Sequence, residues 1–349
     1  MRADVQGLLQ GELGGWLAQQ QAMRDEARAK AHNRWFYGAI ALLPALAFLW
    51  FLPFSLGDTK FYISALAMAA VAGWGYKPIS EAKKRVKIGI NSAIASDLGI
   101  TYTHDCAPGE EYRLCKTYGL VPSHHRDSFE DRWFGTLEGH EFNLYEAHLE
   151  ERRGSGKNRR WVTVFRGAII TMEFGRRFHS TTLLQRAGKH KKWFGLGGRK
   201  DHVSFSGHRL DCVDQVHPDF DGVFEVWSDD QVEARVLIHP SYVEHLLVLE
   251  KAFNGEAVRA LFRGQSVVIA IESGDMFESG SMKAEEDAAR VAEAAEQFAA
   301  MASLATAINQ CERGRVLAEE ADNAAPPPIS DDARENVPRR AAGFGRKGL

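Results

Sequence analysis

The stretch WFLPFSLGDTKFYI, residues 50–63, sets apolar residues on both sides of a small polar knot, residues 55–60. Upstream of the knot, residues 35–56 hold 22 positions without a charge; downstream, residues 61–76 hold 16 more, bounded by Lys60 and Lys77. As helices these runs reach about 33 Å and about 24 Å. The hydrocarbon core of a bilayer is about 30 Å thick, so the first run spans it and the second does so if its flanking lysines extend to the headgroups. Neither run carries the polar face that a helix on a soluble core needs. Aromatic residues gather at the ends, with Trp35, Phe36 and Tyr37 at one and Trp74 and Tyr76 at the other, as at a membrane interface. Small residues (Ala65, Ala69, Ala72, Gly73) suit the second run to close helix contact in lipid.

Charge sets the orientation. Arg24, Arg28, Lys30 and Arg34 precede the first run, and Lys77, Lys83, Lys84, Arg85 and Lys87 follow the second, whereas the knot offers Lys60 beside Asp58. The positive-inside rule then puts both flanks and both termini in the cytoplasm and the knot outside. The expectation is a multi-pass protein of a bacterial inner membrane, with two transmembrane helices at about 35–56 and 61–76.

Working outward, residues 1–34 read as an amphipathic cytoplasmic helix, with Val5, Leu8, Leu9, Leu13, Trp16 and Leu17 on one face. Residues 77–129 read as a helical stalk and connector, in which Val86, Ile90, Ile94 and Leu98 continue a stripe that Gly99 ends. Residues 130–280 turn to β-formers and predict a strand-rich cytoplasmic domain, with hairpins around RGSGKNRR and Arg263-Gly264-Gln265. Pro240 suits the first turn of a helix carrying Val243, Leu246, Leu247 and Leu249. Residues 281–321 form an Ala/Glu-rich helix whose Val291, Ala294, Phe298 and Met301 pack on a core or on another copy. The Pro-, Gly- and charge-rich residues 322–349 predict a disordered tail. The class is α+β: a transmembrane helical hairpin, then a strand-rich domain with flanking helices.

Overall charge is nearly balanced, 43 Lys+Arg against 46 Asp+Glu, but it is segregated. Residues 152–200 carry 14 basic residues and one acid, Glu173, interleaved with Trp161, Phe165, Phe174, Phe178, Trp193 and Phe194. Residues 201–280 reverse the sign, with 15 acids against 5 basic residues. For a domain tethered at the cytoplasmic leaflet the nearest large anion is the lipid surface, where each basic residue contributes about 1 kcal/mol. The candidate lipid- or partner-binding residues are Arg152, Arg153, Lys157, Arg159, Arg160, Lys189, Lys191, Lys192, Trp193, Phe194, Arg199 and Lys200. Plain solvation, an acidic protein partner and single-stranded nucleic acid are the competing readings, nucleic acid the weakest for a membrane-tethered chain. Self-association through residues 1–34 and 281–321 is a further route to a partner.

No enzyme signature stands out. The four cysteines, Cys106, Cys115, Cys212 and Cys311, form no CxxC pair. Gly195, Gly197 and Gly198 lack the GK[ST] ending of a phosphate loop. His104, His124, His125 and Asp127 match no metal-ligand spacing, and Glu138, Glu141 and Glu146 read as the wet face of a strand. The expectation is no catalytic, cofactor or metal residues. Function then reads as a membrane-anchored, non-enzymatic binding or scaffold module, with a membrane-bound hydrolase or transferase, or a structural subunit of a membrane assembly, as alternatives.

Two segments carry a resemblance. Phe165, Arg166 and Gly167 form an F-x-G strand, and Phe224, Val226, Ser228, Asp230, Glu233, Ala234 and Arg235 form F-x-V-x-S-x-D-x-x-E-A-R. With them, residues 1–310 resemble a bacterial family described as a domain of unknown function. The resemblance implies an N-terminal membrane hairpin and a cytoplasmic domain, and brings no catalytic residues. On its own chemistry Asp230 suits a helix N-cap with Glu233 closing a capping box, and Arg235 suits pairing with a nearby acid.

Overall fold

The N-terminal apolar runs lie on two long helices in the computed structural model, which describes residues 5–51, 57–137, 139–174, 177–187, 200–214, 223–238, 240–274, 276 and 280–304. A short α1, Val5–Gln10, leads into α2, Glu12–Phe51, and α3 runs over Thr59–Asp97. Neither long helix breaks where its apolar run meets its charged flank; Pro78 falls at that junction in α3 and Pro44 within the apolar run of α2, and both are carried inside their helices. The helices pack antiparallel: the Trp35 indole donates to the Ala72 carbonyl at 3.2 Å, and the Trp50 and Phe61 rings lie 5.0 Å apart. Glycines set the closeness of approach. A Cβ at Gly38 would fall 2.5 Å from the Val71 side chain, and one at Gly89 would fall 2.1 Å from the Trp16 ring.

Away from that contact the apolar runs face outward. Phe36, Tyr37, Leu43, Phe48, Phe51, Phe61, Tyr62 and Leu66 are all exposed. Among the described residues one helix, Leu13–Phe51, is long and apolar enough to cross a membrane, and 6% of its apolar window is buried. A core helix of a soluble protein would be mostly covered.

At Gly99, with φ of 68°, the chain reverses and enters a sheet of ten strands, all antiparallel. In chain order these are β1 Thr101–Asp105, β2 Arg126–Leu137, β3 His140–Arg153, β4 Arg160–Glu173, β5 Thr182–Arg186, β6 His202–Phe205, β7 His208–Val213, β8 Phe224–Ser228, β9 Glu256–Arg263 and β10 Ser266–Glu272. Their spatial order is β1-β2-β3-β4-β10-β9-β5-β8-β7-β6. The β9–β10 turn falls at Gly264, with φ of 67°. The connector expected over residues 77–129 thus holds the edge strand β1 and a helix α4, Glu110–Thr117, and β2 starts ahead of residue 130.

Both sheet faces are covered. Ala168, Ile169 and Ile170 in β4, like Val268, Ile269 and Ala270 in β10, are buried in succession, which explains apolar runs without alternation. One face carries Trp133, Leu144, Ile170, Phe262 and Ile269 against α1–α3, α5 (Gln231–Leu237), α6 (Pro240–Ala252) and the helical residues 287–304, here α7. The opposite face carries Tyr145, Phe165, Ile169, Trp227 and Leu261 against α4 and the turn after it. Val291, Ala294, Phe298 and Met301 are buried in this core, with the Phe298 ring 4.5 Å from Trp133. Burying Val291, Phe298 and Met301 contributes about 1.5–3 kcal/mol each. Residues 305–349, which include the rest of the Ala/Glu-rich segment and the tail, lie outside the described residues.

Candidate functional site: a buried polar junction and a basic hairpin tip

Where α3 meets the sheet edge, an ion pair is closed off from solvent. The Lys87 Nζ lies 2.6 Å from Asp131 Oδ2 and 4.0 Å from Glu130 Oε2, and the side chains of Lys87 and Asp131 are 6% and 0% exposed. The Tyr102 hydroxyl donates to Asp131 Oδ1 at 2.6 Å, and His104 Nδ1 lies 2.9 Å from the same oxygen. Burial, then the Asp131 charge, pushes the Tyr102 phenol far above its ordinary value, so it stays a donor. Burial likewise raises the nearby Cys106 thiol to about 11, which leaves it protonated. Asp131 itself has φ of 56°, and the β2–β3 register slips between Glu130 and Trp133. The bulge turns a residue of apparent wet-face pattern inward.

His104, Glu130 and Asp131 each offer a ligand atom within 4.8 Å of the others. A divalent ion there would compete with the Lys87 ammonium for the same carboxylate and be repelled by it. The donor set therefore fits the protein's own cation rather than a metal. His104 is the one residue of the sequence's histidine group in this cluster. His124 instead lies 2.7 Å from the Tyr112 hydroxyl through Nε2, and His125 Nδ1 accepts from the Arg152 amide at 3.4 Å. Glu146 is likewise no wet-face acid: 1% exposed, it accepts from Arg166 Nε at 3.0 Å and from the Met276 amide at 3.1 Å.

A second buried pair ties the chain's ends of this unit together. Arg24 Nη2 donates to both oxygens of Asp287, at 2.8 and 2.9 Å, joining α2 to α7. Burial raises the Asp287 carboxyl above its usual range, and the Arg24 charge opposes that shift. Beside it Arg28 Nη2 donates to the Met282 carbonyl, and a Cβ at Gly280 would meet the Lys83 carbonyl oxygen at 2.3 Å. Both Arg24 and Lys87, which the sequence offers as solvated flank charges, are thus internal.

The basic candidates divide. Arg152, Arg153, Arg159 and Arg160 are exposed at the tip of the β3–β4 hairpin, whose turn holds Lys157. Arg153 stands opposite Arg160 in register, and Arg152 opposite the exposed Trp161. Arg126 places its guanidinium 6.0 Å from the Trp161 ring centre. The turn requires Gly154, with φ of 96°, where a Cβ would fall 2.4 Å from the Asn158 carbonyl oxygen. Lys200 is exposed just before β6, six strands from β4 in the sheet order. Lys189, Lys191, Lys192, Trp193, Phe194 and Arg199 lie outside the described residues.

The motif residues explain themselves locally. Phe224, Val226, Ser228 and Ala234 are buried, and Asp230 caps α5 by accepting from the Val232 and Glu233 amides at 2.8 and 3.1 Å. Glu233 does not close the box. Its carboxylate accepts from the His179 amide at 3.1 Å and the Ser180 amide at 2.6 Å, while the Asp230 amide donates to Ser228 Oγ. Arg235 finds the Asp214 carbonyl rather than an acid. At Gly167 a Cβ would fall 2.0 Å from the Ile271 carbonyl oxygen, so the strand crossing itself demands glycine.

Residues 163–310 match the family model described as Protein of unknown function (DUF3137). That span contains both motifs and leaves out α2 and α3, so it is narrower than the resemblance over residues 1–310. No curated protein matches. Among solved structures, the mycobacterial trehalose monomycolate transport factor A, TtfA, aligns at 11% identity and a TM-score of 0.31, over 62% of this chain and 95% of that one. A likeness that low carries no argument about fold or function.

Proposed function

We propose that the chain is a two-span protein of a bacterial inner membrane, with both termini in the cytoplasm. Its α+β body acts there as a non-enzymatic binding or scaffold module. The supporting observation is the apolar surface on the paired halves of α2 and α3, which stays exposed among the described residues. Setting aside the internal Arg24 and Lys87, the flanks still keep Arg28, Lys30 and Arg34 before the first span and Lys77, Lys83, Lys84 and Arg85 after the second. The positive-inside rule thus keeps its sign. The exposed arginines of the β3–β4 tip offer a surface for an anionic leaflet or a protein partner.

An enzyme reading would start from the Lys87–Asp131 junction, whose carboxylate is already engaged by Lys87, Tyr102 and His104. Reporter fusions test the topology. A reporter active only outside the membrane, inserted at Asp58, is expected to work, and the same reporter after Ser303 is expected to be silent. The reverse pattern, or silence at both, overturns the two-span reading.

A further inference from the structure

Three contacts fix the direction of the sheet relative to α3. Asn91 hydrogen-bonds the Tyr102 hydroxyl, Lys87 meets Glu130 and Asp131, and Lys84 lies 3.7 Å from Asp105. As β1 advances from residue 102 to 105, α3 is read backwards from residue 91 to 84, toward its apolar half. Asp105 pairs with Glu130, Arg126 with Glu150, and β3 then ends at Arg153, so the Arg126 end of β2 and the β3–β4 tip point the same way.

The reach is sufficient. From Glu146, paired with Glu130, seven residues of β3 lead to Arg153, about 24 Å at 3.4 Å per residue. A twist of about 20–25° per strand turns β3 by about 45° from β1, leaving about 17 Å along α3. On α3, Lys87 lies ten residues from Lys77, where the apolar run ends, a rise of about 15 Å. The tip therefore stands level with the interface.

Its charge fits an anionic plane. Residues 150–161 hold five basic residues against Glu150 and Glu151, with Trp161 half-exposed beside them. Arg153 and Arg160 oppose each other across the ladder. Like charges in that position repel. Glu151 offsets part of that repulsion, its carboxylate 2.7 Å from Arg153 Nε, and an anion over the tip would offset the rest. We propose that the β3–β4 tip is a second contact with the same membrane, seating Arg152, Arg153, Arg159, Arg160 and Trp161 among anionic lipid headgroups. This rests on the two-span reading, and it fixes the height and tilt of the sheet above the bilayer.

The test is hydrogen exchange of the full chain in lipid nanodiscs, one set of neutral phosphatidylcholine and one containing anionic phosphatidylglycerol. Co-elution with the discs checks the anchoring by itself, so a chain that fails to incorporate overturns the two-span reading. For incorporated protein, amides of residues 154–159 are expected to exchange roughly fivefold slower or more in anionic discs. That protection should vanish near 1 M salt, where the Debye length is about 3 Å. The double variant Arg152→Glu/Arg160→Glu should lose it while the rest of the sheet exchanges as before. It places a carboxylate opposite Arg153, so the hairpin itself keeps a favourable pair. Equal exchange in both disc types at low salt overturns the lipid contact and leaves the tip to an acidic protein partner.

Discussion

Replacing Lys87 by methionine keeps the length of the side chain and removes its charge. In the native junction its Nζ lies 2.6 Å from an Asp131 oxygen with both groups buried, so the variant leaves a carboxylate held by Tyr102 and His104 alone. Removing one partner of a buried pair costs about 3–5 kcal/mol. Domains are stable by about 5–15 kcal/mol, so the loss is a large share of the total. The double variant Lys87→Met/Asp131→Asn removes both charges, and asparagine accepts the backbone φ of 56° at residue 131. It should recover about 1–3 kcal/mol relative to the sum of the single changes. The assay is urea unfolding of the full chain in mild detergent, followed by tryptophan emission. Trp133 reports locally, since its buried ring lies 4.7 Å from Tyr102. A single-variant loss below about 1 kcal/mol, or a double variant no better than additive, would refute the view that this pair locks α3 to the sheet.

Other substitutions separate structural from binding roles. Gly167→Ala drives a methyl group to within 2.0 Å of the Ile271 carbonyl oxygen, and should cost about 3 kcal/mol, read as a lower urea midpoint. Glu233→Ala removes the acceptor of the His179 and Ser180 amides, so exchange at residues 179–182 should quicken while α5, capped by Asp230, keeps its protection. Tyr242 is buried, its hydroxyl finds no hydrogen-bond partner among the described residues, and burial raises its phenol well above the ordinary value of about 10. The unfolded chain then releases that proton from about pH 10 while the folded chain keeps it, so stability falls as pH rises above 10, by about 1.4 kcal/mol per unit for this group. Tyr242→Phe should remove that slope and be nearly neutral at pH 7, as compared by urea titrations at pH 7 and 11.

The sequence announces what depends on long runs. The charge-free stretches, the β-formers after residue 130, the Arg263-Gly264-Gln265 turn and the Asp230 cap are all legible, because each is set by periodicity or by local backbone chemistry. The junction is not. Lys87 and Asn91 fall one residue beyond Val86 and Ile90, and a lysine after an apolar helix reads as solvated flank. Only the partner supplied by a bulged strand, forty-four residues later, makes its burial tolerable. Arg24 escapes for the same reason, since Asp287 lies at a sequence separation of 263. The edge strand β1, TYTHD, is short and polar on its outer side, so it lacks the alternating apolar pattern that marks a strand. The hairpin tip is visible in the sequence as charge, whereas its direction comes from the register of β1 to β3 against α3.

The unbroken course of α3 couples angle to sequence length. Each residue added to an α-helix turns the downstream chain by about 100° and advances it by about 1.5 Å. One alanine inserted between Lys77 and Glu81 would set that turn against α2, which runs unbroken alongside and is tied to α7 through Arg24 and Asp287. With that insertion in α3, the two helices could no longer both keep their contacts with the sheet. The helix contains Pro78 in this interval, where a missing backbone donor softens the rod. The count of residues in α3 between Tyr76 and Lys87 thus has to match the length of α2 beside it, because both helices join their outward-facing apolar halves to the sheet. An insertion confined to one of the two helices would break that match.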